Sequence, residues 1–272
     1  MLPSTCEAKK LRKLVLTLLI ALLILSSTLH IASAMAMSNE DDMPKEWLGR
    51  RKVVDRLGRY TRIAIIHYVV DIGDPDRDGA ADGYELIGVR WNLSKYLNGV
   101  PYTINPSGGV KLGLKETLVV NEIRQAVEAW DQVVSAELFN DNPRIDYKAK
   151  ASIGAPDFKN VITWGRSQPG IVAYTVIWYD SSTREIVDAD IVLNSYYKWG
   201  IADGNETTID FTNKFDIRNV MTHEAGHFIG LDDLYDPEYW AMTMYGYTSY
   251  GEEIKRSLEP GDIAGARAIY GE

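Results

Sequence analysis

The segment His223-Glu224-Ala225-Gly226-His227-Phe228-Ile229-Gly230-Leu231-Asp232-Asp233 constrains the fold more than any other part of the 272-residue chain. Histidines at i and i+4 share one face of a helix, so both imidazoles can reach one ion. Glu224 is offset from that pair and can address a water on the metal as a general base. Gly230 is placed to end the helix in a left-handed turn, which returns the chain towards the metal. Asp233 is then the expected third zinc ligand, with Asp232 as its competitor. The spacing predicts a helix over 217–229, with Asp216 as N-cap and Gly230 just past its end.

The rest of the chain is compatible with a packed domain around that helix. It is 46% hydrophobic and 25% charged, which excludes disordered and fibrous classes. The net charge of −9 argues against a nucleic-acid partner. Lys9, Lys10, Arg12 and Lys13 precede an apolar run, Leu14–Leu25, and small residues near Ala34 and Ala36 offer cleavage sites. Residues 1–36 thus read as a signal peptide, or as a membrane anchor if 14–36 stay uncleaved. Cleavage would remove four of the 29 basic and one of the 38 acidic residues, leaving −12. It would also remove Cys6, so any metal must be held by His, Asp or Glu. A secreted or extracellular location is expected, or a membrane-anchored one with the catalytic domain outside.

Two segments follow the leader. Residues 37–83 read as an N-terminal extension, serving as propeptide, linker or peripheral strand, and 84–272 as a catalytic domain. Strands are expected over 62–70, 84–93, 144–153, 160–164, 171–179 and 186–193 from β-branched and aromatic content. Besides 217–229, helices are expected over 115–135, with Ile123, Ala126, Val127 and Trp130 on one stripe, and over 260–270, opened by Pro260.

A second pattern runs from Asp74 to Glu85. Asp74, Asp76, Asp78, Asp82 and Glu85 stand at positions 1, 3, 5, 9 and 12 of a loop with Gly79 at 6, and Ala80 would offer its carbonyl. That is EF-hand-like calcium spacing between strand-like flanks, so a structural calcium site is expected. Asp188 and Asp190 read either as a second cation site or as a solvent-facing strand. His67, inside an apolar strand, reads as a structural residue. Tyr245 and Tyr247 read as wall aromatics or oxyanion donors. Asn92 and Asn205 begin glycosylation sequons.

Residues 223–233 followed by Met244 resemble the metzincin metallopeptidases, with an Asp third ligand similar to the snapalysin-type variant. Thr243–Tyr247 resembles the Met-turn, Leu258–Gly271 the closing matrixin helix, and Ala189–Asn194 the strand before the active-site helix. The resemblance implies an α+β (α/β-like) zincin fold, a twisted mixed sheet of about five strands with three main helices. It implies a zinc-dependent endopeptidase with Glu224 as base and Met244 as a packing floor, acting as a monomer on an extended polypeptide. It also implies that an edge strand within Gly170–Tyr179 pairs with that polypeptide by β-augmentation. Asp233 replaces the usual histidine, Gly261-Asp262 stands where two aspartates are common, and no thiolate is left for latency. The rival class is a catalytically silent, calcium-dependent binding protein on the same scaffold.

Overall fold

The computed structural model describes residues 43–44, 47–70, 82–202 and 212–272. The expected leader, four calcium-loop positions (Asp74, Asp76, Asp78, Ala80) and the Asn205 sequon lie outside the described residues. Strands are β1 (Lys52–Leu57), β2 (Tyr60–Tyr68), β3 (Glu85–Leu86), β4 (Tyr102–Ile104), β5 (Arg144–Ile145), β6 (Asn160–Gly165), β7 (Ile171–Asp180), β8 (Ile186–Asn194), β9 (Trp199–Gly200), β10 (Phe215–Asp216) and β11 (Leu231–Asp232). Helices are α1 (Ser107–Lys111), α2 (Glu116–Asp131), α3 (Ile217–Ile229) and α4 (Pro260–Tyr270).

One mixed sheet dominates, ordered β1-β2-β7-β8-β6-β4-β5. β5, β4, β6 and β8 run parallel, and β7 returns antiparallel to β8. These five match the expected architecture in number, although β4 is not among the expected strands. The hairpin β1–β2 adds two more on the outer side of β7. β7 is therefore an interior strand, which corrects its expected edge position. The reason lies in β2, where Ile63, Ala64, Ile65 and Ile66 are all buried. A strand apolar on both faces needs cover on both. Ile63 and Ile65 join the core beneath the sheet, while Ala64 and Ile66 join Trp47, Tyr174 and Trp178 on the other face.

Two expected strands are shorter than their composition suggests. In 84–93 the strand stops at Leu86, Gly88 follows at φ 80°, and pairing returns only as an isolated bridge between Arg90 and Glu185. Trp91 instead donates its Nε1–H to the Phe228 carbonyl at 2.8 Å, tying this segment to α3. In 144–153 the Asp146 carboxylate accepts the Lys148 N–H at 2.9 Å, a turn that ends pairing after Ile145.

The helices pack under the sheet. The α2 stripe (Val119, Ile123, Ala126, Val127, Trp130) is buried, and Trp130 Nε1 donates to the Thr222 carbonyl at 2.9 Å. The Asp216 side chain caps α3 by accepting from Asn219 N at 2.7 Å. Glu122 of α2 holds Arg218 through two bonds of 2.7 and 2.8 Å. At the start of α4, Asp262 completes a capping box with Glu259 and also accepts Thr243 N (2.8 Å) and Met244 N (3.0 Å). The departure at Gly261-Asp262 thus leaves one buried aspartate that pins the Met244 turn.

Asp188 and Asp190 are neither solvent-facing nor poised at a surface. Both are fully buried in β8. Asp188 accepts from Asp157 N and Phe158 N (2.6 and 2.8 Å), and Asp190 from Ser152 N and Val161 N (2.7 and 2.8 Å). They staple residues 152–161 across the sheet. Burial pushes Asp188 up to about 7 and Asp190 well above the ordinary carboxylate range. Among the described residues no helix is long and apolar enough to cross a membrane.

Candidate metal centre

α3 delivers His223, Glu224 and His227 from one buried helix, and each is almost fully enclosed. Gly226, on the same turn, allows the Met244 turn to lie directly against the helix. A Cβ there would sit 2.2 Å from Met244 Sδ. Gly230 adopts φ 109° and ends the helix, and a Cβ at this position would meet the Val89 carbonyl oxygen at 2.3 Å. β11 then turns the chain back, bringing Asp233 under the two histidines. Asp232 faces away and pairs with Lys52.

The third imidazole comes from elsewhere. His67, near the end of β2, points into the same space, 156 residues before His223. This overturns its reading as a structural histidine of the strand. The three Nε2 atoms and Asp233 Oδ1 form a compact four-cornered figure. His67–His223 is 3.0 Å, His67–His227 3.1 Å and His223–His227 3.1 Å. Asp233 Oδ1 lies 3.1, 3.3 and 3.5 Å from His67, His223 and His227. Tetrahedral ligands at zinc–nitrogen distances of about 2.0–2.1 Å stand about 3.3 Å from one another. All six edges fall within a few tenths of that value.

The proton positions agree. His223 Nδ1–H donates to the Thr243 carbonyl at 2.6 Å and His227 Nδ1–H to the Leu231 carbonyl at 2.8 Å. Carbonyl oxygens only accept, so both Nε2 atoms carry lone pairs towards the centre. His67 Nδ1 donates to Glu224 Oε1 at 2.7 Å. Three imidazole nitrogens and a carboxylate converging on one point are a donor set that suits a cation.

Charge balance points the same way. Burial resists a charge on His67, but Glu224 and Asp233 overcome it and push the group up to about 10. Burial, helped by the neighbouring His67, pulls His223 down to about 4. Burial would raise Glu224 and Asp233, yet the surrounding imidazoles hold both below their ordinary values. The pocket therefore calls for positive charge, which a divalent ion supplies without a proton. The four groups fit zinc in donor type, spacing and tautomer.

Three partners escaped sequence reasoning. Besides His67, the Tyr235 hydroxyl donates to Asp233 Oδ2 at 2.7 Å, and Thr175 of β7 donates its hydroxyl to Glu224 Oε2. Thr175 left a trace, as a polar residue inside the apolar run IVAYTVIWY. Tyr235 left none. Behind the cluster lies a small pocket lined by Val220, Tyr245, Gly246, Tyr247 and Thr248. Tyr245 and Tyr247 are thus wall residues of that pocket, their rings 5.3 Å apart. Of the calcium-loop residues, Asp82 and Glu85 are described, and Glu85 pairs in register with Asp232 beside the metal turn.

No curated protein matches the chain. A family model described as matrixin matches residues 91–271, well over half of the chain and including α3, the Asp233 turn, Met244 and α4. With a mixed sheet of the expected architecture and a buried His/His/His/Asp group at its centre, the chain belongs to the matrixin family of metallopeptidases.

Proposed function

We propose that this protein is an exported, zinc-dependent endopeptidase that cleaves extended polypeptides, with Glu224 as its general base. The observation that carries this reading is the set of six ligand–ligand distances, 3.0 to 3.5 Å, with a glutamate beside them. His223, His227 and Asp233 would hold the ion. Zinc bound there supplies Lewis acidity, acidifying water and polarising a carbonyl. Glu224 Oε1, when free, takes a proton from the attacking water and passes it to the leaving amine. Thr175 orients this carboxylate through Oε2. Tyr235 restrains Asp233 and thereby keeps one oxygen directed at the centre. The wall from Tyr245 to Thr248 shapes the pocket for the substrate side chain. A monomer acting outside the cell, with calcium bound at Asp74–Glu85, completes the proposal.

One observation favours the silent-scaffold reading. Four protein groups around one point are the mark of a closed, structural metal site, whereas catalytic sites keep a position open. Glu224 has no role in such a site beyond its bonds to His67 and Thr175. Hydrolysis of a quenched generic protein substrate by the zinc-loaded chain and by its His67→Ala variant, each with and without Glu224→Ala, tests the proposal. Turnover that survives Glu224→Ala would remove Glu224 from the mechanism. No turnover in either parent would overturn the peptidase reading.

A further inference from the structure

The same strand that contributes His67 also fills the path an extended substrate would take. β2 pairs antiparallel with β7 along its whole length, with His67 opposite Ala173. The chain then continues past the metal cluster. Val69 N donates to the Gly170 carbonyl at 2.7 Å, and Val70 N to the Thr248 carbonyl at 3.1 Å. Thr248 belongs to the pocket wall, so the backbone of residues 60–70 is held by β7 on one side, and on the other by β1 over 60–65 and by the wall at Val70. Main-chain pairing of this kind is how a sheet edge captures an extended peptide.

Glu224 is fully engaged in this arrangement. Oε1 accepts from His67 Nδ1 and Oε2 from Thr175, both inside a buried site. The first strand of the hairpin is fastened beside the cluster as well. The Arg51 guanidinium lies 4.4 Å from the Tyr235 ring and 4.6 Å from the Tyr247 ring, and donates to the Tyr247 hydroxyl at 2.9 Å. Lys52 pairs with Asp232 on the metal turn.

We propose that residues 51–70 are a built-in blocking strand, in which His67 Nε2 is an exchangeable fourth ligand to the metal and the β2 backbone occupies the substrate path. The proposal rests on the peptidase reading for its purpose, but the ligand role stands separately. Opening breaks one bond, His67 Nε2 to metal, and forms one, a water oxygen to metal. A neutral imidazole leaves and a neutral water enters, so no proton or electron is left unassigned. The same movement frees Glu224 Oε1. The blocking group is thus a histidine carried by a strand paired into the main sheet, in a chain whose only cysteine is Cys6.

The test uses the full chain loaded with cobalt(II), whose visible absorption reports its ligands, titrated with acetohydroxamate. The wild-type spectrum should resist the titration, whereas His67→Ala should start from a shifted spectrum and change further as hydroxamate enters. A strand closed in about 99 of 100 molecules makes wild-type half-saturation about a hundredfold higher than that of the variant. Arg51→Ala combined with Lys52→Ala leaves every ligand in place and should respond at concentrations between the two. This double variant carries the test if His67→Ala fails to fold, and a response identical to wild type would then overturn the proposal. Equal responses of wild type and His67→Ala would also overturn it. A hydroxamate-responsive His67→Ala that cleaves no protein substrate would sustain the blocking ligand and sink the peptidase reading.

Discussion

His223 and His67 meet 3.0 Å apart but are held in different ways. His223 and His227 rise from one buried helix and lock their Nδ1 protons onto backbone carbonyls. Those carbonyls neither ionise nor take part in chemistry. His67 hangs from β2, 156 residues earlier in the chain, and locks its Nδ1 proton onto Glu224. That carboxylate is the group the proposed reaction needs. Two imidazoles are therefore fixed by the scaffold, while the third is fixed by the proposed general base and would compete with substrate for it. The difference separates a permanent ligand from a removable one within a single cluster.

The strongest way to break this comparison is at Glu224. Glu224→Gln should lower kcat/KM of the cleaving form about 10²–10⁴-fold, measured with a quenched peptide, with zinc content unchanged. Next, His227→Ala and His67→Ala should diverge in a zinc competition titration. Loss of His227 should weaken zinc by more than the about 10–100-fold that an outer hydrogen-bond partner costs. Loss of His67 should weaken it far less, since water takes the corner. Equal losses would erase the distinction between fixed and exchangeable ligands.

The scaffold side of the comparison can be probed through Gly226, where an added methyl meets Met244 Sδ at 2.2 Å. Gly226→Ala should cost about 1–3 kcal/mol, seen as a lower Tm. An unchanged Tm would mean that the floor under α3 is soft and does not fix the two imidazoles. On the strand side, Arg51→Ala removes stacking worth about 0.5–1 kcal/mol at an exposed site. It should leave Tm nearly unchanged while making residues 51–70 easier to cut in limited proteolysis.

The smallest effect is a control on pH. Burial raises Asp131 from 3.8 to about 7, against two backbone N–H bonds that favour its charge. The folded chain then keeps a proton that the unfolded chain releases, so this contribution is whole below about pH 4 and lost as pH rises through 7. Asp131→Asn should flatten the fall of Tm over that window. Because Asp131 lies at the end of α2, remote in sequence from the hairpin, it marks the slope that belongs to the fold alone.

The site was legible in proportion to how local it is. The helix 217–229, its Asp216 cap, Gly230 and Asp233 lie in one short stretch, where spacing alone sets geometry. The fold was legible in part. Periodicity gives the three main helices and composition the long strands β2, β6, β7 and β8, whereas the three-residue β4 escapes both and 84–93 and 144–153 read as too long. The five-strand architecture itself comes from the family resemblance. His67 was not legible, because nothing within RIAIIHYVV states which strand it will pair with or in what register. Only the pairing of His67 with Ala173 carries the ring to the metal. A count could have raised the question. Three histidines follow the leader, and all three stand in the cluster. The interior position of β7 was hidden for the same reason, as a strand buried on both faces looks alike whether its last neighbour is a substrate or its own chain.

The burial of β2 on both faces has a consequence in time. Ile63 and Ile65 are locked below the sheet, and Ala64 and Ile66 above it, so the strand cannot peel away one hydrogen bond after another. It leaves as a unit or stays. Progress curves for an enzyme blocked in this way would begin with a lag, followed by a steady rate, and the length of that lag would be a property of the hairpin and not of the substrate.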